Sequence, residues 1–239
     1  MNGDDITVMF SITRNLYEYA PGVIQNLIDT NPLVYRIYLF IEDDEFPYKL
    51  DKRVRTININ NCPKFIKGGP NEGNPWTYMA YTRCFVSQIL LEDKIIYLDL
   101  DLYFNKGLDK LWNTDFEGNY LCGVAESTST IHDNKGYINT GVLLLNLRAM
   151  RENHIDIKIC KLIQNKKLHF PDQDAINKIC KGKIKYISRS FNITDTTYKS
   201  PTYGISPVVF HTTFPKLWNR DSNFYKKWKT NTEKALREE

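Results

Sequence analysis

Three short apolar runs constrain the fold most. Tyr35–Ile41 is apolar on both faces apart from Arg36, Lys94–Leu98 reads Lys-Ile-Ile-Tyr-Leu, and Val142–Leu147 is broken only by Asn146. Runs of this length are strands rather than buried helices, and a strand that is apolar on both faces has to be covered on both sides. Helix-like segments alternate with them. Pro21 stands early in one, where its missing N–H costs little, and Val23, Ile24, Leu27 and Ile28 fall on one face. Alternation of this kind predicts an α/β protein built on a largely buried sheet. Ile6–Phe10 and Val54–Ile59 read as further strands, and Val208–Phe210 as a short one ending at His211. Thr77–Leu91 and Asp172–Cys180 read as helices, and Ser222–Arg237 as a surface helix. Asn60–Pro75, rich in Gly, Pro and Asn, reads as a loop of the length used for lids and binding loops.

Composition excludes several classes. The chain has 239 residues, 42% hydrophobic and 25% charged, enough for one full core and unlike a disordered or fibrous protein. A net charge of +4 is too mild to imply nucleic-acid binding. No run approaches the ~18 apolar residues of a membrane span. The acidic start, Met-Asn-Gly-Asp-Asp, does not read as a secretory leader. Five cysteines, odd in number and scattered, fit a reduced, cytoplasmic setting in which the thiols pack as small apolar groups.

The strongest local signal is Asp99-Leu100-Asp101, at the carboxyl end of an apolar strand. In extended chain, residues two apart point the same way, so the two carboxylates would share one side. Open α/β sheets bind ligands at that end of their strands. With no Lys or Arg between them the carboxylates repel, and Mg²⁺ or Mn²⁺ would resolve the conflict. A turn in which both Asp side chains bind backbone N–H groups explains the tripeptide alone equally well. Neither a GxxxxGK loop nor a GxGxxG after the first strand is present, which argues against a P-loop NTPase and a dinucleotide oxidoreductase.

Several segments together resemble the retaining glycosyltransferases of family eight, which include glycogenin and the lipopolysaccharide galactosyltransferases. The matching stretches are YLDLD (97–101), INTGVLLLNL (138–147), DQDAIN (172–177) and VVFHTTFPKLW (208–218), in the family's order. FSITRNLYEYAPG looks like its uracil-binding segment and YTRCFVSQIL like its sugar-binding helix. The resemblance covers roughly residues 5–220 and implies a GT-A fold, a Rossmann-like mixed sheet flanked by helices in a single domain (1–220), followed by a basic-aromatic helical tail (221–239). It implies transfer of a hexose, glucose or galactose, from a UDP-sugar to a carbohydrate or protein hydroxyl with retention, and Mn²⁺ (or Mg²⁺) as cofactor.

By that resemblance Asp99, Asp101 and His211 ligate the metal, and imidazole with carboxylates suits Mn²⁺. Lys216 would neutralise the diphosphate, although it stands five residues after His211 where the family has six, with Phe214 in place of a glycine. Ser11, Ile12, Thr13, Asn15 and Leu100 would meet the nucleotide, with Tyr17 or Tyr19 stacking on the base. Arg83 would reach the sugar or phosphates, Asn139 would bond the donor sugar, and Gly141 would let the backbone approach closely. Asp172 would bind sugar hydroxyls, or serve only as a helix cap, and Gln173 would lie beside the anomeric carbon. An amide is a poor nucleophile, so same-face attack is favoured over double displacement, for which Asp172 is the nearest carboxylate. Two other classes stay open: a nucleotidyltransferase of the sugar-nucleotide type, and a non-catalytic docking module whose Phe224–Lys229 segment lies on an anionic membrane.

Overall fold

The computed structural model describes residues 5–62, 68–73, 78–126, 136–194 and 205–237. The chain enters through β1 (Ile6–Ser11), a 3-10 turn (Arg14–Tyr19) and α1 (Ala20–Thr30), then β2 (Val34–Ile41) and β3 (Val54–Asn58). After α2 (Thr82–Phe85) come β4 (Ile95–Leu98), β5 (Leu102–Phe104), α3 (Asp109–Trp112) and β6 (Leu121–Ala125). β7 (Ile138–Leu145), α4 (Leu147–Glu152), α5 (Ile155–Asn165) and α6 (Pro171–Ile179) follow. The last elements are β8 (Ile184–Tyr186), β9 (Ile193–Thr194), β10 (Val209–His211) and α7 (Tyr225–Arg237).

Among the described residues, seven strands form one sheet in the order β3-β2-β1-β4-β7-β6-β8. β3, β2, β1 and β4 are mutually parallel, β7 runs antiparallel between β4 and β6, and β8 returns parallel to β6. Strand alternation divides the core. Val8, Phe10, Ile96, Leu98, Val142 and Leu144 pack on the α1 side, whereas Met9, Tyr97, Leu143 and Leu145 pack on the side of Phe85, Ile159 and Ile176. Both faces are therefore apolar, which is why β4 and β7 read as uninterrupted hydrophobic runs. The five cysteines are free, and Cys84, Cys122 and Cys180 are buried.

The expected helix over 77–91 is broken; Thr77 itself lies outside the described residues. Tyr78–Tyr81 is a 3-10 turn, α2 lasts four residues, and Val86–Gln88 is 3-10 again. Thr82, Arg83, Cys84, Phe85, Val86 and Ser87 are all buried, so the segment is wrapped by protein and has no solvent face. Its β-branched and aromatic residues favour a regular helix only weakly. The loop reading of 60–75 falls partly outside the described residues, but Asn71 is buried and joins the carbonyls of Ile163 and Lys166 to the Leu168 N–H. α6 begins at Pro171, and its N-cap position is Phe170, so Asp172 sits inside the first turn.

The tail helix lies on α1. Gly22 allows the approach: a Cβ there would come 2.1 Å from Thr232 Oγ1. Trp228 Nε1 donates to the Tyr19 carbonyl at 3.3 Å, and Phe224 packs against Tyr103 and Phe210. Lys226, Lys227 and Lys229 remain exposed. No helix among the described residues is long and apolar enough to cross a membrane.

Candidate functional site

β4 ends at Leu98, and Asp99, Leu100 and Asp101 turn the chain into β5. The turn is pinned from two sides. The Asp99 N–H donates to the Gly141 carbonyl at 2.9 Å, and the Asp101 carbonyl accepts from both the N–H and the hydroxyl of Thr212. In a separate three-stranded sheet, β10 lies between β5, antiparallel, and β9, parallel. His211 thereby faces Leu102 across the ladder, next to Asp101.

Asn139-Thr140-Gly141, which alone resembles a turn, belongs to β7. Pairing with β6 jumps there: Gly123 opposes Leu143 and Val124 opposes Asn139. Bulges of this sort re-aim side chains beside sites. Gly141 has no room for a side chain, since a Cβ would lie 2.3 Å from His211 Cε1 and 2.9 Å from Asp99 Oδ2.

Asp99, Asp101 and His211 each offer one donor atom, all within 4.8 Å of one another. His211 Nε2 lies 3.2 Å from Asp101 Oδ1 and 3.8 Å from Asp99 Oδ2. Adjacent ligands on an octahedral ion with bonds of about 2.1 Å stand about 3 Å apart, so this spacing and donor set fit Mg²⁺ or Mn²⁺. The glycine cradle under the cluster agrees with that fit.

Cations from distant segments surround the carboxylates. Arg83, 4% exposed, donates through Nη2 to Asp99 Oδ1 at 2.8 Å and through Nη1 to the Thr140 carbonyl, and its Nε lies 3.3 Å from Asp172 Oδ2. The guanidinium rests on the Tyr97 ring, whose hydroxyl also donates to Asp99. The Lys216 ammonium pairs with Asp101 Oδ2. Burial by itself would raise the Asp101 carboxyl, but His211 and Lys216 hold it well below the ordinary carboxylate range. Burial would lower the His211 imidazole, but Asp101 and then Asp99 raise it overall. Asp172 is pushed up by its burial, with Arg83 pulling the other way.

These groups open on a cavity of about 500 Å³. Ser11, Asn15, Arg83, Asp99, Leu100, Asp101, Asn139, Gly141, Asp172, Gln173, His211 and Lys216 all line it, although they come from segments far apart in the chain. Ile12, Thr13 and Tyr19 do not. Ile12 is buried in the core, Thr13 bonds the Asn15 side chain, and Tyr19 stacks at 4.4 Å on Trp218, which does line the cavity. Gln173 is fixed at both ends: its Oε1 accepts from the Thr140 N–H at 3.0 Å and its Nε2 donates to Glu126 at 3.2 Å. Glu126, Thr140, Asn192 and Trp218 escaped the sequence reading. Trp218 stood inside a quoted motif, but Glu126 and Asn192 carry no local signal.

The family model described as Glycosyl transferase family 8 matches residues 7–233. A Haemophilus influenzae protein named as a glycosyltransferase is 34% identical over 218 residues, 80% of this chain and 64% of its own length. The glycosyltransferase GlyB of Streptococcus pneumoniae is 25% identical over 91% of this chain and 58% of its own. The chain thus spans less than two thirds of either relative. Lipopolysaccharide 1,3-galactosyltransferase of Salmonella typhimurium is 22% identical, covering 89% of this chain and 71% of that protein. Among solved structures, the galactosyltransferase LgtC in complex with donor and acceptor sugar analogs superposes with a TM-score of 0.76 at 22% identity over 96% of both chains, which shows a shared GT-A fold. The profile match over nearly the whole chain and these likenesses make the protein a member of glycosyl transferase family 8.

Proposed function

We propose that this protein is a metal-dependent retaining glycosyltransferase that moves a hexose, glucose or galactose, from a UDP-sugar to a hydroxyl acceptor. One observation carries the reading: two carboxylates and an imidazole converge over a side-chain-free glycine in the wall of a cavity that is also lined by Arg83, Asn139, Asp172, Gln173 and Lys216. Asp99, Asp101 and His211 would hold Mn²⁺ or Mg²⁺, which when bound neutralises charge developing on a departing diphosphate.

The chain's own residues supply the rest. Lys216, partly exposed beside the cavity, offers a second positive charge to the diphosphate. Gly141 lets a donor approach the backbone, and Asn139 presents its amide there. Ser11 and Asn15 line the cavity where a nucleoside would bind, with Tyr19 acting through Trp218, whereas Ile12, whose N–H donates to the Phe40 carbonyl, and Thr13 stay outside it. Arg83 holds Asp99 and Asp172 in place while facing the same cavity. Asp172 is buried and committed to Arg83 and the Thr140 hydroxyl, which leaves it poorly placed as a nucleophile. Gln173 is an amide with both ends held. These two features favour attack on the same face as departure, the acceptor's proton passing to the leaving phosphate oxygen. Contact with an anionic membrane would fall to the exposed lysines of α7, because its aromatic face is turned onto the body.

A panel of UDP-sugars incubated with Mn²⁺, read as UDP release, tests the activity. Asp99→Asn is expected to reduce release to background, and retained release would remove the metal assignment. A glycosylated Asp172 trapped with donor alone would overturn same-face attack.

A further inference from the structure

We propose that Asn192 sets the tautomer of His211 and so makes its Nε2 lone pair available to a cation. The inference deepens the metal reading above and rests on it. Asn192 follows the 3-10 turn Arg189–Phe191 and immediately precedes β9. Parallel pairing of Phe210 with Ile193 and of His211 with Thr194 brings Asn192 alongside the imidazole. Asn192 and His211 are each 4% exposed, so water does not substitute for their contact.

The orientation follows from one group whose role is unambiguous. The backbone N–H of Gly141 can only donate, and it donates to Asn139 Oδ1 at 2.9 Å. The Asn139 amide is therefore anchored with its oxygen on that side. Asn192 reaches the same oxygen at 2.8 Å and must present its Nδ2 N–H there. Its own oxygen is then turned to His211 Nδ1, 3.0 Å away. An amide oxygen only accepts, so Nδ1 carries a proton. The neutral ring is left with its lone pair on Nε2, the nitrogen that faces Asp101 Oδ1 and Asp99 Oδ2. Without Asn192, the neutral ring would place its proton on Nε2 and donate it to Asp101, which removes the lone pair from the cluster. Asn192 is a positioning residue: it acts through His211, as outer partners of metal-bound histidines do.

The test compares wild type with Asn192→Leu, which has no acceptor for the Nδ1 proton. Mn²⁺ binding is read from the electron paramagnetic resonance signal of the free ion. Asn192→Leu is expected to weaken binding about 10–100-fold. In chelator, once the ring is neutral, ¹⁵N imidazole spectra assigned with His211→Gln should show the His211 proton on Nδ1 in wild type and moved toward Nε2 in Asn192→Leu. The proposal is overturned if Asn192→Leu binds Mn²⁺ as wild type does, or if the wild-type proton sits on Nε2. Should Asn192→Leu not fold, the wild-type spectrum decides. A wild-type protein that fails to bind Mn²⁺ refutes the metal reading instead, and the nitrogen spectra then judge the tautomer alone.

Discussion

His211 Nε2 stands 3.2 Å from Asp101 Oδ1 because β10 runs antiparallel to β5 with His211 opposite Leu102, the residue that follows Asp101. The contact joins a buried imidazole to a buried carboxylate, and the second oxygen of that carboxylate is taken by Lys216.

This pair links stability to pH in metal-free protein. The His211 imidazole is raised above its ordinary value, because Asp101 and Asp99 outweigh the opposing effect of burial. A raised group stabilises the fold fully below its unfolded pKa of about 6.5, and that stabilisation fades as pH rises through the folded value. In EDTA, the Tm advantage of wild type over His211→Gln should therefore shrink as pH rises above about 6.5. A difference that stays constant above that pH would contradict the linkage.

Gly141→Ala tests the cradle. The added methyl would meet His211 Cε1 at 2.3 Å and Asp99 Oδ2 at 2.9 Å, so the imidazole or the carboxylate has to move. The strand itself accepts alanine. Mn²⁺ affinity is expected to fall by about 10-fold or more, with stability lowered by about 1–3 kcal/mol through overpacking, as measured by titration calorimetry and thermal denaturation. Unchanged affinity would show that the cluster tolerates the displacement.

Arg83→Met removes the cation shared by Asp99 and Asp172 and leaves two carboxylates facing each other near a buried tyrosine. Breaking a buried pair from one side costs about 3–5 kcal/mol. Urea denaturation should report a loss of that order, and Asp172→Asn in the same background should recover part of it. A loss under about 1 kcal/mol would mean that water already screens this guanidinium.

Gly22→Leu probes the docking of the tail. The site is closed by Thr232 Oγ1 at 2.1 Å and Trp228 Nε1 at 2.9 Å from a Cβ, so α7 has to lift. Overpacking of this kind costs about 1–3 kcal/mol. The expected result is tryptic cleavage at Lys226, Lys227 and Lys229 at rates well above wild type. Equal cleavage rates would show that α1 and α7 separate without strain.

The run Lys94–Leu98 was readable as a buried strand because both faces of the sheet are covered, so Leu98 and Tyr97 are both apolar although they pack on opposite sides. The segment 77–91 was misread because periodicity describes one buried face, whereas protein surrounds Thr82–Ser87 on every side. Asn139-Thr140-Gly141 looked like a turn because its residues suit turns, yet the Asp99 N–H bond to the Gly141 carbonyl and the pairing of Asn139 with Val124 after a jump in register hold it in β7.

Local chemistry in the chain determined that this would be an α/β protein and that Asp99 and Asp101 would stand together at a strand end. It also singled out His211, Gln173 and Lys216, through short motifs in a family-like order. Only the tertiary structure decided how the acidic pair is tolerated. Read along the chain, the two carboxylates have no cation between them; in the fold, Arg83 meets Asp99, Lys216 meets Asp101, and Asn192 orients the imidazole between them. Sequence periodicity reflects a residue's immediate neighbours, whereas these partnerships depend on strand order and register, which form only when distant segments pack.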